Sequence, residues 1–199
     1  MRFMREVPQQ GTASYTPQPI RLAWGAHVDD GFVSRLFDLC TGFDWTSDHA
    51  NYLMACMAFE SGRSFSPSVR NAAGSGATGL IQFMPATARG LSTTTDALAA
   101  MTAVQQLEYV ERYFTPYHDR IESLSDMYMA ILLPKYVGWP GGSVLFNDGT
   151  VAYRQNRGLD ADTDGEITKD EAAGKVQRML ESGLRKSNAR EVRPEGLIS

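Results

Sequence analysis

The stretch "NYLMACMAFESG", Asn51 to Gly62, constrains this chain more than any other. Tyr52 to Phe59 are eight consecutive apolar or small residues, and they run straight into Glu60. A helix on a protein surface interrupts such a run with charges, so this one must be covered on all sides by other elements. A buried carboxylate is costly unless it is paired or takes up a proton. Either Glu60 lies just past the end of a buried helix, where water reaches it, or its proton affinity is tuned for chemistry.

A chain of 199 residues, 43% hydrophobic and 21% charged, is long enough to bury such a helix in one main domain. Helical spacing is the dominant pattern. Phe32, Val33, Leu36, Phe37 and Cys40 follow an acidic start at Asp29 and Asp30, with a stop at Gly42. The second helix starts near Thr46 or Ser47 and carries the opening stretch. Pro85 suits the first turn of a third helix. Thr102 and Gln105 have capping-box spacing ahead of Val104, Leu107, Val110 and Phe114. Ser125 and Asp126 are expected to open the helix "MYMAILL", which Pro134 closes. "NDGT" at 147–150 is the one good hairpin cue. The expected fold is mainly α, with minimal β-structure.

The division expected along the chain is an extended arm over 1–19, a folded unit over 20–183 and a polar tail over 184–199 that frays. The net charge of −4 carries no basic face for nucleic acid, and no apolar run is long enough for membrane insertion. Cys40 and Cys56 form no metal spacing and read as buried thiols rather than a disulfide. His27, His49 and His118 suit surface or capping roles. Trp24, Trp45 and Trp139 suit the core better than sugar stacking.

In a helix ending at Glu60, the C-terminal dipole disfavours a negative charge. Apolar neighbours on the preceding turns disfavour it further. Both raise the pKa towards what a general acid needs. The plainer reading is a half-exposed glutamate at a helix end. The next residues, "RSFSPSVRNAAGSGATGLIQFMPATARGL", are rich in Gly, Ser and Ala, as suits a backbone that approaches a ligand closely.

"ESG" followed by "GATGLIQFMPATA" resembles the soluble lytic transglycosylase family, whose domain is related to goose-type lysozyme; the resemblance covers about residues 47–140. It implies a lysozyme-like α+β domain acting on peptidoglycan glycan strands. The family's catalytic acid/base maps onto Glu60, the serine after it onto Ser61, and the family's glycan-contacting glutamine onto Gln82. The family's third motif, "AYNxG", is replaced by "MYMAILLPKYVG", so its Tyr-Asn pair is missing; Tyr128 and Tyr153 are the candidates for its work. The implied reaction cleaves the MurNAc–GlcNAc β-1,4 bond with formation of 1,6-anhydro-MurNAc, without a cofactor for the chemistry. A hydrolytic goose-type muramidase, or a non-catalytic glycan-binding module of the same fold, are the alternatives. A monomer is expected. The start "MRFMREVPQQ" has no apolar core of a secretory signal, which fits a phage-encoded enzyme reaching the cell wall by lysis or virion delivery.

Independently of any family, residues 61–95 contain no Asp or Glu. A conventional glycosidase needs a second carboxylate as nucleophile or to activate water. Asp44 and Asp96 are the candidates from elsewhere. The lytic transglycosylase reaction that the resemblance implies can work with one acid, an internal hydroxyl of the substrate taking the place of water.

"DADTDGEITKDE", 160–171, matches the EF-hand calcium loop. Asp160, Asp162 and Asp164 present hard oxygens, Gly165 permits the sharp turn, the Glu166 carbonyl adds a ligand, and Glu171 closes the shell. A structural Ca2+ is expected there. The competing reading is an acidic turn whose Thr168–Glu171 capping box starts a helix to Leu180.

Overall fold

The computed structural model describes residues 18–193. Among them it is mainly helical, with four strands of three or four residues. Helix α1 (Asp30–Gly42) is capped by Asp29, whose carboxylate accepts from Phe32 N at 2.7 Å. Helix α2 (Ser47–Glu60) starts at a capping box in which His49 takes the place usually held by Glu or Gln. Its Nδ1 lies 3.2 Å from Thr46 N, and its Nε2 lies 2.9 Å from Ile121 O. Ala50 and Leu53 to Ala58 are buried, so α2 is covered on all sides as its composition requires. The cover comes from α1, from α6 (Leu124–Leu132), from α8 (Lys169–Gly183) and from strand β1 (Ile20–Leu22).

Between α2 and α6 lie the short helices α3 (Pro85–Gly90) and α4 (Thr95–Ala99) and the longer α5 (Ala103–Phe114). Thr102 and Gln105 form the expected capping box at α5. Pro85 occupies the first turn of α3. Cys40 and Cys56 are buried free thiols, and burial pushes the Cys40 thiol up to about 12. Trp24 and Trp45 lie in the core, with indole N–H groups donating to Met179 O and His118 O. Trp139 does not: it is 54% exposed.

Three local expectations are corrected. Ser123, not Ser125, caps α6, because Ser123 is three residues before Asp126 and accepts from its N–H at 3.1 Å. "NDGT" makes no hairpin. It turns the end of β2 (Val144–Asn147) into the six-residue helix α7 (Val151–Asn156), and β2 pairs instead with β3 (Glu166–Thr168). The tail does not fray at 184. Helix α8 continues to Gly183, Asn188 O accepts from Ala26 N, and β4 (Arg190–Val192) pairs antiparallel with β1, Ile20 opposite Val192. The arm expected over 1–19, except its last two residues, and 194–199 of the expected tail lie outside the described residues.

A buried ion pair joins α6 to α8. Lys169 and Asp126 are 2% and 5% exposed, with Nζ 2.5 Å from Oδ1. Lys169 Nζ also donates to Trp139 O at 2.7 Å, and Gly138 N donates to Asp126 Oδ1 at 2.7 Å. Burial alone would raise the Asp126 carboxyl. The hydrogen bonds from Lys169, Ser123 and Gly138, with the Lys169 charge, outweigh it and hold the group below its ordinary value. Removing one member of such a pair strands the other without a partner. Lys169→Met is therefore expected to destabilise the fold by about 3–5 kcal/mol in urea unfolding, with an unchanged denaturant slope.

Candidate active site

Glu60 is the last residue of α2, where the chain leaves the core. The next residue ends the helix, with Ser61 N–H donating to Met57 O at 2.9 Å. Among the described residues the Glu60 carboxyl has no hydrogen-bond partner, and burial pushes it from 4.5 to about 7. Near neutral pH the group is therefore divided between acid and carboxylate, as a residue that gives and then takes back a proton must be.

Two tyrosines, from α5 and α6, sit close enough to Glu60 to feel its charge. Burial pushes the Tyr128 hydroxyl up, and Glu60 adds to that. For Tyr113 the causes are burial, then Tyr117, then Glu60. The Tyr113 hydroxyl is committed, donating to Ala130 O at 2.7 Å. Tyr128 packs edge-on against Phe59, ring centroids 5.7 Å apart, and its hydroxyl has no partner among the described residues. Both stay neutral phenols over the working range of Glu60 and so act only as hydrogen-bonding groups.

The wall after Glu60 is held in unusual backbone geometry. Arg63, Phe65 and Gln82 have φ of +69°, +48° and +52°, a region that costs a non-glycine residue about 1–2 kcal/mol. Thr78 and Phe83 exchange backbone hydrogen bonds of 3.1 and 2.8 Å, and Gly79 N donates to Val69 O at 2.8 Å. Gln82 closes this turn with its own side chain. Its Nε2 donates to Gly79 O at 3.1 Å and to Val69 O at 3.3 Å, which leaves Oε1 as the atom it can offer outward.

The other residues singled out from sequence fall in different places. Ser61 is buried, and its Oγ accepts from Phe65 N at 3.0 Å, so it shapes the turn after Glu60. Tyr153 belongs to the acidic loop. Its hydroxyl donates to Asp160 Oδ2 at 2.6 Å, and that bond, with burial and the Asp160 charge, pushes it up to about 12. Asp96, the first acid after Glu60, is exposed and lies 2.6 Å from Arg70. Two residues near the site were not anticipated. Tyr113 was hidden in the core period of α5. Gln106 is the one polar residue fully buried on that helix, and a glutamine between core positions was the only signal of it.

In the acidic loop, Asp160, Asp162 and Asp164 each bring a carboxylate oxygen within 4.8 Å of the others. Gly165, at φ +89°, makes the turn. This part fits a hard divalent cation. Glu171 is engaged otherwise. Its Oε2 takes Thr168 N at 2.9 Å and the Thr168 hydroxyl, and its Oε1 takes Ala161 N at 3.0 Å. The capping box and the ligand set thus share one carboxylate, and two-oxygen ligation requires Glu171 to leave its cap.

Residues 46–124 match the family model of the Transglycosylase SLT domain. The matched segment runs from the cap of α2 through Glu60, the Gln82 turn and α5 to the first residue of α6. No curated protein and no solved structure matches the chain.

The raised Glu60 pKa has a stability consequence. The folded state holds a proton on Glu60 where the unfolded chain has released it. The stabilisation this gives is full below about pH 4.5 and is lost as pH rises through about 7. Glu60→Gln, which keeps the shape without the charge, is expected to gain about 3 kcal/mol on wild type between those limits. Urea unfolding of both proteins at pH 4.5 and pH 8 reads the difference.

Proposed function

We propose that the chain is a peptidoglycan lytic transglycosylase with Glu60 as its sole acid and base. The observation that carries this is a half-buried glutamate, without a hydrogen-bond partner among the described residues and poised near pH 7, inside the segment that matches the Transglycosylase SLT domain. Protonated Glu60 gives its proton to the glycosidic oxygen between MurNAc and GlcNAc as the bond to C1 breaks. The substrate's own N-acetyl oxygen stabilises the sugar cation. The Glu60 carboxylate then takes the proton of the C6 hydroxyl, whose oxygen closes on C1 to give a 1,6-anhydro ring. The proton returns to Glu60 and no water is consumed. Residues 61–95 carry no acid, and Asp96 pairs with Arg70, which supports a one-carboxylate route over one that activates water. Gln82 Oε1 and the Tyr128 hydroxyl are the polar groups offered to the glycan.

Purified peptidoglycan digested with the protein should yield fragments ending in anhydro-MurNAc, lighter by one water than hydrolytic ends. Reducing MurNAc ends would make it a muramidase. Glu60→Gln should lower the rate by about 10²–10⁴-fold. Release unaffected by this change would sink the assignment. The wild-type rate should fall as pH rises above about 7, because the proton to be donated is lost there.

The acidic loop is proposed to hold Ca2+ through Asp160, Asp162, Asp164, the Glu166 carbonyl and Glu171. The ion would supply no chemistry. It would tie α7 to α8 and so steady the helix that covers α2. A ligand of the native state at a hundredfold excess over Kd contributes about 2.7 kcal/mol, or roughly 5–10 °C in Tm for a chain of this size. Chelator should lower Tm by that amount relative to millimolar calcium, and Asp160→Ala should abolish the difference. Equal melting of the wild type in both would leave the loop with its capping box alone.

A further inference from the structure

The Gln82 turn is gripped from behind by a side chain of α5. Gln106 is fully buried. Its Oε1 accepts from Leu80 N at 2.7 Å, and its Nε2 donates to Leu98 O at 2.9 Å and to Pro67 O at 3.1 Å. Both amide hydrogens are used, so the orientation of the group is fixed. The three partners lie on three separate pieces of chain: the segment leading to Val69, the Gly79–Gln82 turn and the end of α4. Val69 O in turn accepts from both Gly79 N and Gln82 Nε2, and Gly79 O accepts from Gln82 N and Gln82 Nε2. The bonds of one buried amide thus lead directly to both carbonyls that orient Gln82.

The fit around Gln106 is close. A Cβ on Gly79, where φ is +82°, would lie 2.2 Å from Gln106 Oε1. The amide stands where any other side chain at 79 would have to go. A left-handed non-glycine backbone such as that of Gln82 persists only where its surroundings over-determine it. Here they are the Gln106 bonds on one side and the Thr78–Phe83 pair on the other.

We infer that Gln106 is the positioning residue for Gln82. It holds the turn so that Gln82 turns its amide hydrogens inward and presents Oε1 as an acceptor for an N–H or O–H donor of the glycan. This rests on the proposed reading of the site as a glycan cleft. Gln106 touches no substrate, and Glu60 stands on a different helix. Loss of Gln106 should weaken glycan binding and leave proton transfer intact.

The test uses Gln106→Met, Gln82→Ala and the double variant in the full chain, with soluble uncrosslinked glycan strands as substrate. Gln106→Met should raise KM about tenfold, the scale of one substrate hydrogen bond. Both kcat and its fall above about pH 7, which report Glu60, should stay at wild-type values. Gln82→Ala should raise KM similarly. The double variant should be no worse than either single one, because both remove the same contact. Hydrogen exchange supplies a readout that needs no activity. In Gln106→Met the Gln82 amide, bonded to Gly79 O, should lose protection at least tenfold, while the Ser61 amide at the end of α2 keeps its own. If the wild type cleaves no glycan, the cleft reading fails and exchange alone decides the Gln106–Gln82 link. Unchanged Gln82 protection, equal loss at Ser61 or KM effects that add in the double variant each overturn the proposal. Should Gln106→Met not fold, Gln106→Glu is read in the same way, since it keeps the acceptor for Leu80 N and loses both donors. Failure of both to fold also overturns it, leaving Gln106 a core residue.

Discussion

Along Leu53 to Ala58, helix α2 has no face that water can wet, and the elements packed on it are there to cover that stretch. An apolar helix of this kind gains its stability only from what packs around it. α1, α6, α8 and β1 do so here. Because the cover is complete along Leu53 to Ala58, the helix regains partial exposure only at Phe59 and Glu60, and the second of these is an acid. Its proton affinity follows from that position. No arginine or lysine neutralises Glu60 among the described residues, so burial alone acts on it, and burial favours the neutral form.

The matched segment, 46–124, cannot supply this cover by itself. All four elements packed on α2 lie outside it, apart from the first residue of α6: β1 and α1 come before it, and α6 and α8 after it. The C-terminal part of the chain is therefore part of the same core. α8 is fixed at its start by Lys169 in the Asp126 pair and by backbone bonds from Lys169 and Asp170 to Ser143 and Gly141. It is fixed at its end by Gly183 O, which accepts from Trp24 N, and by the β1–β4 pair just beyond. The acidic loop sits immediately before the first of these anchors, where a bound cation can act on α8 without approaching Glu60.

The parts legible in the sequence were those written locally. Capping residues and a 3.6-residue period placed α1, α2 and α5 closely, since each helix is specified by its own side chains. The misread parts depend on partners far away in the chain. Strands β1 and β4 are three residues each, too short for an alternating pattern, and they pair across about 170 residues. "SLSD" offered two serines for one cap, and only the spacing to Asp126 N decides between them. The place of Glu60 at the end of a buried helix was legible because an acid ending an apolar run is costly and therefore conspicuous. Not legible was the turn contact of Ser61, whose hydroxyl oxygen accepts from Phe65 N. The Tyr153–Asp160 bond was not legible either, because a tyrosine seven residues before an aspartate carries no sign that the two will meet.

The acids of this chain are sorted by what surrounds them. Asp160 and Glu171 sit among donors: the Tyr153 hydroxyl and backbone N–H groups lower the first, and the Thr168 N–H and hydroxyl lower the second. Glu60 sits among Phe59, Cys56 and two neutral phenols and is raised. At neutral pH Asp160 and Glu171 are therefore charged, which suits them to accept hydrogen bonds or a cation and not to donate a proton. Among the described residues, Glu60 is the carboxyl that burial raises into the range where it can exchange one. A second tuned acid beside it would couple to it by like-charge repulsion and split the titration between the two. The acid-free run from 61 to 95 keeps the wall next to Glu60 clear of such a partner. In the proposed cleft that segment would offer instead an uncharged amide, Gln82, whose hydrogen bonding does not change as Glu60 gives up its proton and recovers it.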